Sequence, residues 1–491
     1  MASVTERLGR AVEREAPAWG VRPTPPEVRR LSGIDFAVLW GDLGIGLLVL
    51  VTGALLVPAL GLPRALLAIV IGSVIGCIPL ALVGRAGARE GVPGMVLLRP
   101  ALGTRGSYLP SILNVVQLIG WTAFELWAMA LVASRVSGPI LGTDGFVVWL
   151  IVAAVVCLVL SLGGPVVVVR RWMARFGVWI VAAVAAYLSI RVAFAADLGV
   201  LWAKPGAGGF PTFWPAVDLV IAMPASWIPL VADYSRFARR GVSSAGGTYL
   251  GYLVANVWFY SLGALLVLSA RAPVPSVAGI ADGIVAVAGG AILLIVLLVG
   301  ETDEAFADIY SAAVSAQNLA SGIRQRTGVV AVTALGVAGA AWLSTLPDQG
   351  VLTYELFLLL IGSVFVPLFG VFLADYHVLR RNGGYRSGVA LFDERGPYRY
   401  TGGVHLAAIG AWLLGVAAYH WTAPTAIPGW SSAVETLFAG WLGLPFPLLG
   451  GAVPASALAF ATGFASYLVL TAVGRAVSRS PSGRPEVGPP S

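Results

Sequence analysis

The chain has 491 residues, of which 58% are hydrophobic and only 11% are charged, and its formal net charge is +7. A soluble globular protein carries roughly 25% charged residues, so this composition excludes an ordinary soluble protein and indicates a polytopic membrane protein. All but one of the 31 basic residues are Arg, and they lie in short loops between apolar runs. We therefore expect the charge to serve membrane topology and expect no nucleic-acid partner.

Apolar runs of about 20 residues, the length that crosses a bilayer, fill nearly the whole chain. Residues 1–31, charged and rich in proline, are predicted to form a cytoplasmic arm. Residues 32–474 are predicted to form one transmembrane domain, and the Ser, Pro and Gly content of residues 475–491 predicts a disordered cytoplasmic tail. The twelve predicted spans are approximately 33–59, 65–84, 108–134, 145–165, 174–195, 215–236, 246–269, 290–320, 328–346, 352–379, 402–421 and 452–474.

The distribution of basic residues predicts the orientation of these spans. If the N-terminus is cytoplasmic, the outer segments hold five basic residues and the cytoplasmic side holds the other 26. Such a bias over short loops follows the positive-inside rule. We therefore expect a multi-pass protein of the plasma (cytoplasmic) membrane with both termini in the cytoplasm. The five outer residues are Arg64, Arg135, Arg191, Lys204 and Arg271.

Two spans carry residues that interrupt helices. Span one holds an acid, Asp42, among three glycines, and span six holds Pro224 and Pro229 on either side of Ser226 and Trp227. A helix break is tolerated in a membrane only where protein or a watery cavity satisfies the freed backbone groups. A packing kink would explain either break alone. Two breaks five spans apart favour a five-plus-five inverted repeat, with repeats at about 33–195 and 215–379 and two further helices at about 402–474.

Span eight carries four carboxylates, Glu301, Asp303, Glu304 and Asp308, directly after a wholly apolar run. At about 100° per residue, Glu301, Glu304 and Asp308 share one helix face, and Asp303 points nearly the other way. A carboxylate inside a bilayer costs at least ~2.5 kcal/mol unless it faces a partner or a watery cavity. One alternative is a helix that emerges into water at Glu301. A short outer helix predicted at 279–287, followed by a Gly-Gly break, instead places Glu301 ~15 Å below the outer surface.

Trp121 and Glu125 project from one face of span three, because they are four residues apart. An indole beside a carboxylate at membrane depth suits a flat heterocycle, which stacks on the ring and donates N–H groups to the carboxylate. The alternative is an interfacial Trp beside a buried acid that pairs with Arg135. Asp233 and Arg236, at the cytoplasmic end of span six, are predicted to form a gating or structural ion pair.

The sequence contains no pattern typical of an enzyme or a metal site. Three His residues and two separated Cys residues offer no metal-ligand spacing. The common hydrolase, metalloprotease and phosphate-binding motifs are absent from the sequence. We therefore expect neither an enzyme nor a metal centre.

Six sequence pieces, found in order along the chain, resemble the nucleobase–cation symport family of purine–cytosine permeases, hydantoin transporters and allantoin permeases. The resemblance extends from about Trp19 to the end of span twelve and is greatest to the branch of hydroxymethylpyrimidine transporters. The pieces are WGVRP at 19–23, LWGDLGIGLLVL at 39–50, GVPGM at 91–95, GW at 120–121, ADYSRF at 232–237 and ADIYSA at 307–312.

The resemblance implies a substrate ring held mid-membrane between Trp121 and Trp227. It also implies that Glu125, where Gln is common in the family, binds the edge of the ring, with Asp308 completing the edge contacts. Carboxylates at both positions favour a ring with several N–H donors, such as an aminopyrimidine. Ser226 and Asp42, at the two breaks, complete the predicted substrate-binding set.

For the coupling cation, the resemblance implies backbone carbonyls near the break in span one, between Leu39 and Leu43, together with Thr302 and Asp303 on span eight. Asp303 stands where the family has a second hydroxyl, and Asp42 adds an acid, so either Na⁺ or H⁺ fits. Glu304 is our candidate for proton coupling.

The sequence therefore predicts an all-α membrane protein of twelve helices, with helices 1 and 6 broken and two helices beyond the repeats. We expect a secondary active transporter that imports a cytosine-, purine- or hydroxymethylpyrimidine-type heterocycle by cation symport with alternating access. Apart from Na⁺ or H⁺ we expect no cofactor. The rivals are an amino-acid or amine–cation symporter of the same fold and, from another class, a membrane-embedded enzyme or a receptor.

Overall fold

The computed structural model describes residues 20–142, 145–163, 178–269, 274–346, 351–380, 384–385, 388–393, 395–423 and 429–479. The regular structure in these ranges is helical, apart from isolated bridges that pair Leu31 with Ala238 and Thr401 with Val404. The predicted all-α class is confirmed.

The helices that build the architecture are numbered here in chain order. They are α1 (Gly33–Asp42), α2 (Leu47–Leu55), α3 (Leu62–Glu90), α4 (Tyr108–Leu141), α5 (Phe146–Gly163), α6 (Val178–Ala195), α7 (Phe213–Trp227), α8 (Val231–Ser235), α9 (Gly241–Leu268), α10 (Val277–Val285), α11 (Gly290–Leu319), α12 (Gln325–Leu343), α13 (Val351–Ala374), α14 (Leu406–Thr422) and α15 (Ala455–Arg479). Shorter helical pieces are Pro26–Val28, Gly94–Leu97, Arg99–Leu102, Leu198–Ala203, Asp375–Leu379, Gly388–Leu391, Trp430–Glu435, Thr436–Trp441 and Leu448–Gly451.

In the described part of the chain, eight helices are long and apolar enough to cross a membrane, and α1 with α2 forms a ninth candidate that bends by 62°. Three further predicted spans coincide with α7 plus α8, with α11 and with α14. These helices do not meet the same criterion of length and apolarity, because the first is interrupted, the second carries four acids and the third has only 17 residues. The total of twelve spans stays a prediction.

The break in span one lies where the glycines predict it. Helix α1 ends at Asp42 and α2 begins at Leu47. A Cβ atom on Gly46 would overlap the carboxyl group of Glu304 and would lie 3.0 Å from Glu301 Oε1. Glycine is therefore needed here so that the acids of α11 can approach the interrupted backbone.

The break in span six lies at residues 228–230, beside Pro229, whereas Pro224 lies inside α7. A proline leaves the carbonyl four residues earlier without its helical donor. Here that carbonyl belongs to Val220, and the hydroxyl of Tyr260 on α9 donates to it at 3.3 Å. Because a neighbouring helix supplies this bond, α7 continues through Pro224.

Each interrupted helix packs against a helix from the other half of the bundle. Helix α1 packs against α9 and α7 packs against α3, so spans one and six each lie on the second span of the other predicted repeat. Helices α4 and α11, the third span of each repeat, pack against one another. This exchange is the packing expected of an inverted repeat, whose exact bounds stay a prediction. Helices α14 and α15 pack together and against α13.

The two predicted terminal segments lie partly outside the described residues. Helix α15 runs to Arg479, five residues past the predicted end of the membrane domain at 474, and residues 480–491 are not described. Of the predicted arm, residues 20–31 are described. They pack on the ends of the helices, where Thr24 N–H donates to the Gly91 carbonyl at 2.7 Å and Leu31 N–H donates to the Phe237 carbonyl at 3.0 Å.

Candidate functional site

The four acids of α11 lie inside the protein. Glu301, Asp303, Glu304 and Asp308 are each exposed by 3% or less. The alternative of a helix that emerges into water at Glu301 is therefore wrong, since α11 continues, largely buried, to Leu319. The predicted division of these acids between two helix faces stays a prediction, since Glu301 and Asp303 both reach the break in span one.

Glu301 closes the break in span one. Its Oε1 accepts a hydrogen bond from the backbone N–H of Leu47, the first residue of α2. The first N–H groups of a helix have no partner within the helix, and the partial positive charge at this end favours an anion. The other oxygen, Oε2, is buried and has no hydrogen-bond partner among the described residues. Glu301, to which the sequence assigned no role, thus couples α11 to the interrupted helix.

Asp303 and Asp42 form a carboxyl pair between α11 and the end of α1. Their side chains lie within hydrogen-bond reach of each other, and each keeps one buried oxygen without a partner in the described structure. Two carboxyl groups at this distance cannot both be ionised in a dry site unless a cation joins them, so the pair must share a proton or bind a cation.

The backbone beside this pair offers free acceptors. The carbonyls of Gly41 and Leu43 receive no hydrogen bond from described residues, whereas that of Leu39 accepts from Leu43 N–H at 3.0 Å. The hydroxyl of Thr302, which is partly exposed, donates to the Val299 carbonyl of its own helix at 2.7 Å. The predicted cation ligands are therefore only partly brought together, with Asp42 and Asp303 in contact and Thr302 turned toward its own helix.

Glu125 and Asp308 form a second carboxyl pair, between α4 and α11. Their side chains lie within hydrogen-bond reach of each other. All four of their oxygens are buried and accept no hydrogen bond from a donor in the described part of the chain. Arg135, the alternative partner of Glu125, instead pairs with Asp282 at 2.7 Å. Like Asp42 and Asp303, this pair must share a proton or meet a neutralising partner in a dry site. A shared proton serves only one contact, and because a buried acceptor without a donor costs about 1–3 kcal/mol, the remaining oxygens suit N–H groups from outside the protein.

The two predicted stacking indoles lie near the same junction. Trp121 and Trp227 are each 4% exposed, and the Trp121 indole N–H has no acceptor among the described residues. Gln117, one turn before Trp121 on α4, donates to the Ser226 carbonyl of α7 at 3.0 Å. This hydrogen bond holds the helix that carries Trp121 against the break that carries Trp227.

Three aromatic residues that the sequence analysis did not select complete this junction. Trp40 meets Trp227 edge to face with ring centroids 5.9 Å apart, and Tyr354 and Phe357 meet Trp121 at 6.0 and 5.2 Å. The sequence could have indicated a role for Trp40, because this residue lies two positions before Asp42 in the glycine-rich run. The sequence around Tyr354 and Phe357 on α13 does not distinguish them as site residues, because an apolar span contains many aromatic residues.

Two predicted contacts take a different form. The Ser226 hydroxyl donates to the Met223 carbonyl at 2.7 Å, so its proton is used within α7. Asp233 accepts from Gly94 N–H at 2.9 Å, whereas the Arg236 guanidinium donates to backbone carbonyls of Asp233 and Gly20 and to the Tyr310 hydroxyl. Asp233 and Arg236 therefore form no direct ion pair in the structure, and their predicted gating role stays a prediction. The turn at the end of α8 places the Arg236 guanidinium at the Asp233 carbonyl. The Asp233 carboxylate instead accepts from the first N–H group of the short helix Gly94–Leu97.

Among the described residues, no arginine forms an ion pair with the buried acids of this cluster. The ion pairs recorded between described residues, Arg135 with Asp282 and Arg380 with Asp375, lie outside this cluster. Within the same ranges, no group of three or more His, Cys, Asp or Glu residues is arranged to hold a metal ion. The cluster offers buried carboxyl oxygens to a proton, a cation or an N–H-bearing ligand.

A helical membrane bundle with two interrupted helices that face buried carboxyl and aromatic groups defines a membrane transporter. The family model of permeases for cytosine/purines, uracil, thiamine and allantoin matches residues 23–441. The chain belongs to this family, and it is a permease, not an enzyme.

Similar proteins agree with this assignment. The hydantoin permease of Microbacterium maritypicum is 23% identical over 80% of this chain and 82% of its own length. The allantoin permease of Bacillus subtilis is 27% identical over 80% of this chain and 84% of its own. The closed, bromovinylhydantoin-bound structure of Mhp1, a nucleobase-cation-symport-1 family transporter, has the same fold, with a TM-score of 0.75 at 19% identity over 94% of this chain and 95% of Mhp1.

Proposed function

We propose that this permease imports a flat heterocycle rich in N–H donors, of the cytosine or aminopyrimidine type, by symport with Na⁺ or H⁺. The observation that carries this proposal is the Glu125–Asp308 pair, whose four oxygens are buried without a donor in the described protein. A ring with an amino group and a ring N–H supplies donors to such oxygens. A diketo ring such as uracil presents more acceptors, which the carboxylates would repel.

The aromatic residues support a flat substrate. Trp121 projects from the same face of α4 as Glu125, and Gln117 ties this face to the break at Trp227. Aromatic rings make large apolar contacts with a planar ligand, and their edge-to-face neighbours fix their orientation. A saturated amino acid would gain little from these indoles and would bring its own carboxylate toward a set of acids.

The Asp42–Asp303 pair supports coupling to a cation. A proton shared by the two carboxyl groups, or Na⁺ held by them and by the free carbonyls at the break, would relieve their mutual repulsion. Because Asp42 ends α1 and Asp303 lies on α11, such a cation would hold the broken helix against α11. No further cofactor enters this proposal.

The proposal includes the plasma membrane as the location and a cytoplasmic position for both termini. The support for this orientation is the positive-inside bias of the sequence. Within the substrate class, a hydroxymethylpyrimidine with an amino group remains a candidate because it carries the required N–H donors.

The experiment is a thermal-shift screen of the purified protein against cytosine, hydroxymethylpyrimidine, adenine, hydantoin, uracil and leucine, at varied Na⁺ concentration and pH. A ligand at a hundredfold excess over its Kd stabilises the folded state by about 2.7 kcal/mol. We expect cytosine or hydroxymethylpyrimidine to raise the Tm and uracil to do so less. A shift that requires Na⁺ would assign the cation, and one that follows pH alone would assign the proton.

Uptake of the best ligand then tests the aromatic residues. Trp121→Ala and Trp227→Ala should each reduce uptake at least tenfold at equal protein level, and Trp342→Ala, which removes a 56% exposed indole, should not. Retained uptake in both site variants would remove the stacking role. Stabilisation by leucine, with no competition from cytosine, would favour the amino-acid symporter instead.

A further inference from the structure

A cationic cavity lies at the end of α3, away from the substrate site. It measures about 240 Å³ and is lined by Arg85, Arg89, Tyr376 and His377. Both Arg side chains are exposed, lie one turn apart on α3, and make no hydrogen bond or ion pair with any described residue. The Nε2 atom of His377 is buried and likewise has no partner in that part of the structure. Three nitrogen-bearing side chains thus line one space.

The nearest acid does not fill this role. Glu90, the last residue of α3, accepts a hydrogen bond from the Tyr376 hydroxyl at 2.7 Å. It therefore fixes Tyr376 at the wall of the cavity, and the two guanidinium groups stay available. Two Arg side chains with a fork of donors each are the preferred partners of phosphate oxygens.

A second cavity, an apolar cleft, lies beside the middle of α3. It measures about 250 Å³ and lies between α3, α7, α13 and α15. Two of its α3 residues, Ile75 and Ile78, are 38% and 46% exposed, so the helix turns an apolar surface outward here. The cleft is also lined by Pro79, Ile221, Val366 and Phe460.

The spacing of the two cavities along α3 fits one amphipathic molecule. Pro79 and Arg85 are six residues apart, which is ~9 Å along a helix axis. Both cavities also involve the chain of α13, through Val366 in the cleft and His377 just beyond the helix end. The apolar cleft therefore lies deeper along α3, and the cationic cavity lies at the end of this helix, at the level of the lipid headgroups.

We propose that one anionic phospholipid spans the two cavities, which together are called the groove, with its phosphate between Arg85, Arg89 and His377 and an acyl chain in the apolar cleft. The apolar lining would be buried by the chain, and the arginines supply the charge complement that a zwitterionic lipid would use less well. Free phosphate would leave the apolar cleft empty. This site is separate from the proposed substrate site and does not depend on it.

The groove also adjoins the interrupted helix. Ala225 and Ile228, which flank Trp227, line the apolar cleft. A bound acyl chain would therefore contact α7 where it ends, and lipid composition would influence the stability of the break.

The test uses the purified full-length protein in a neutral detergent, to which phosphatidylglycerol or phosphatidylcholine is added. Native mass spectrometry measures the lipid that the protein retains, and thermal unfolding measures the Tm. We expect phosphatidylglycerol to bind at least tenfold more tightly than phosphatidylcholine. Arg85→Gln with Arg89→Gln should abolish this preference. The matched control is Arg324→Gln with Arg326→Gln, which removes two exposed arginines beside the start of α12 and should keep it.

The apolar part has its own pair of variants. Ala457→Phe, in the lining of the cleft on α15, should displace the lipid and lower its retention about tenfold, whereas Val469→Phe, 60% exposed on the same helix, should not. Phosphatidylglycerol preference that survives in the Arg85/Arg89 variant would overturn the proposal. Equal stabilisation by inorganic phosphate, or equal retention of both lipids by the unaltered protein, would overturn it as well.

Discussion

The substitution Glu125→Gln tests the reasoning behind the substrate site most directly. In the structure, both oxygens of Glu125 are buried, lie beside Asp308 and receive no donor from the described protein. Glutamine keeps the size of the side chain, replaces one acceptor by an NH₂ donor and removes one of the two carboxyl groups that share the negative charge of the pair. The change therefore alters the chemistry presented to the ligand with little change in packing.

The expected magnitude follows from the bond that is lost. A hydrogen bond to a charged group contributes about 1.5–3 kcal/mol, and 1.4 kcal/mol is tenfold in affinity, so cytosine should bind about 10 to 150 times more weakly. A diketo ring should lose much less or gain, because the new NH₂ group donates to a carbonyl. Glu125→Gln should therefore shift the ratio of cytosine to uracil affinity toward uracil.

The assay is equilibrium binding of radiolabelled cytosine to the purified protein, with uracil as competitor. Asp308→Asn and the double variant complete a double-mutant cycle, and we expect the two losses to be non-additive because the side chains contact each other. Glu355→Gln on α13 is the matched control, since it makes the same change at a half-buried acid outside the cluster. Unchanged cytosine affinity in both Glu125→Gln and Asp308→Asn, with normal folding, would refute the assignment of this pair to the substrate.

Three further predictions concern the break, the C-terminal helices and coupling. Gly46→Ala should destabilise the protein by about 1–3 kcal/mol, because its Cβ overlaps Glu304; thermal unfolding should show this loss and should show none for Gly246→Ala, where a Cβ meets no atom within 4 Å. Asp218→Ala should lower the Tm and leave the substrate Kd unchanged, since Asp218 accepts from the first two N–H groups of α15 at 2.8 and 2.9 Å, a helix cap worth about 0.5–2 kcal/mol. Glu304→Gln should flatten the pH dependence of uptake, and a normal pH profile in this variant would exclude Glu304 as the proton carrier.

The sequence by itself determined the class of structure and the places where the membrane helices are interrupted. Apolar runs and a low charge content require helices that satisfy their own backbone groups in lipid. The breaks follow from local chemistry, because the glycines around Asp42 and the proline at 229 act within a few residues. The shared face of Trp121 and Glu125 is equally local, since it depends only on the helical repeat.

The tertiary structure alone decided what each buried acid meets. The contacts of Glu125 with Asp308 and of Asp42 with Asp303 join residues that are far apart in the chain, and no periodicity specifies such pairs.

The same holds for the polar groups near the breaks. Tyr260 reaches the carbonyl that Pro224 leaves free, and Arg236 meets backbone carbonyls in place of the Asp233 carboxylate. The physical reason is that a membrane interior offers no water, so each polar group takes whichever partner the packing of distant helices brings within hydrogen-bond reach. Composition and local pattern therefore predicted where the polar groups lie, and only the packing determined their partners.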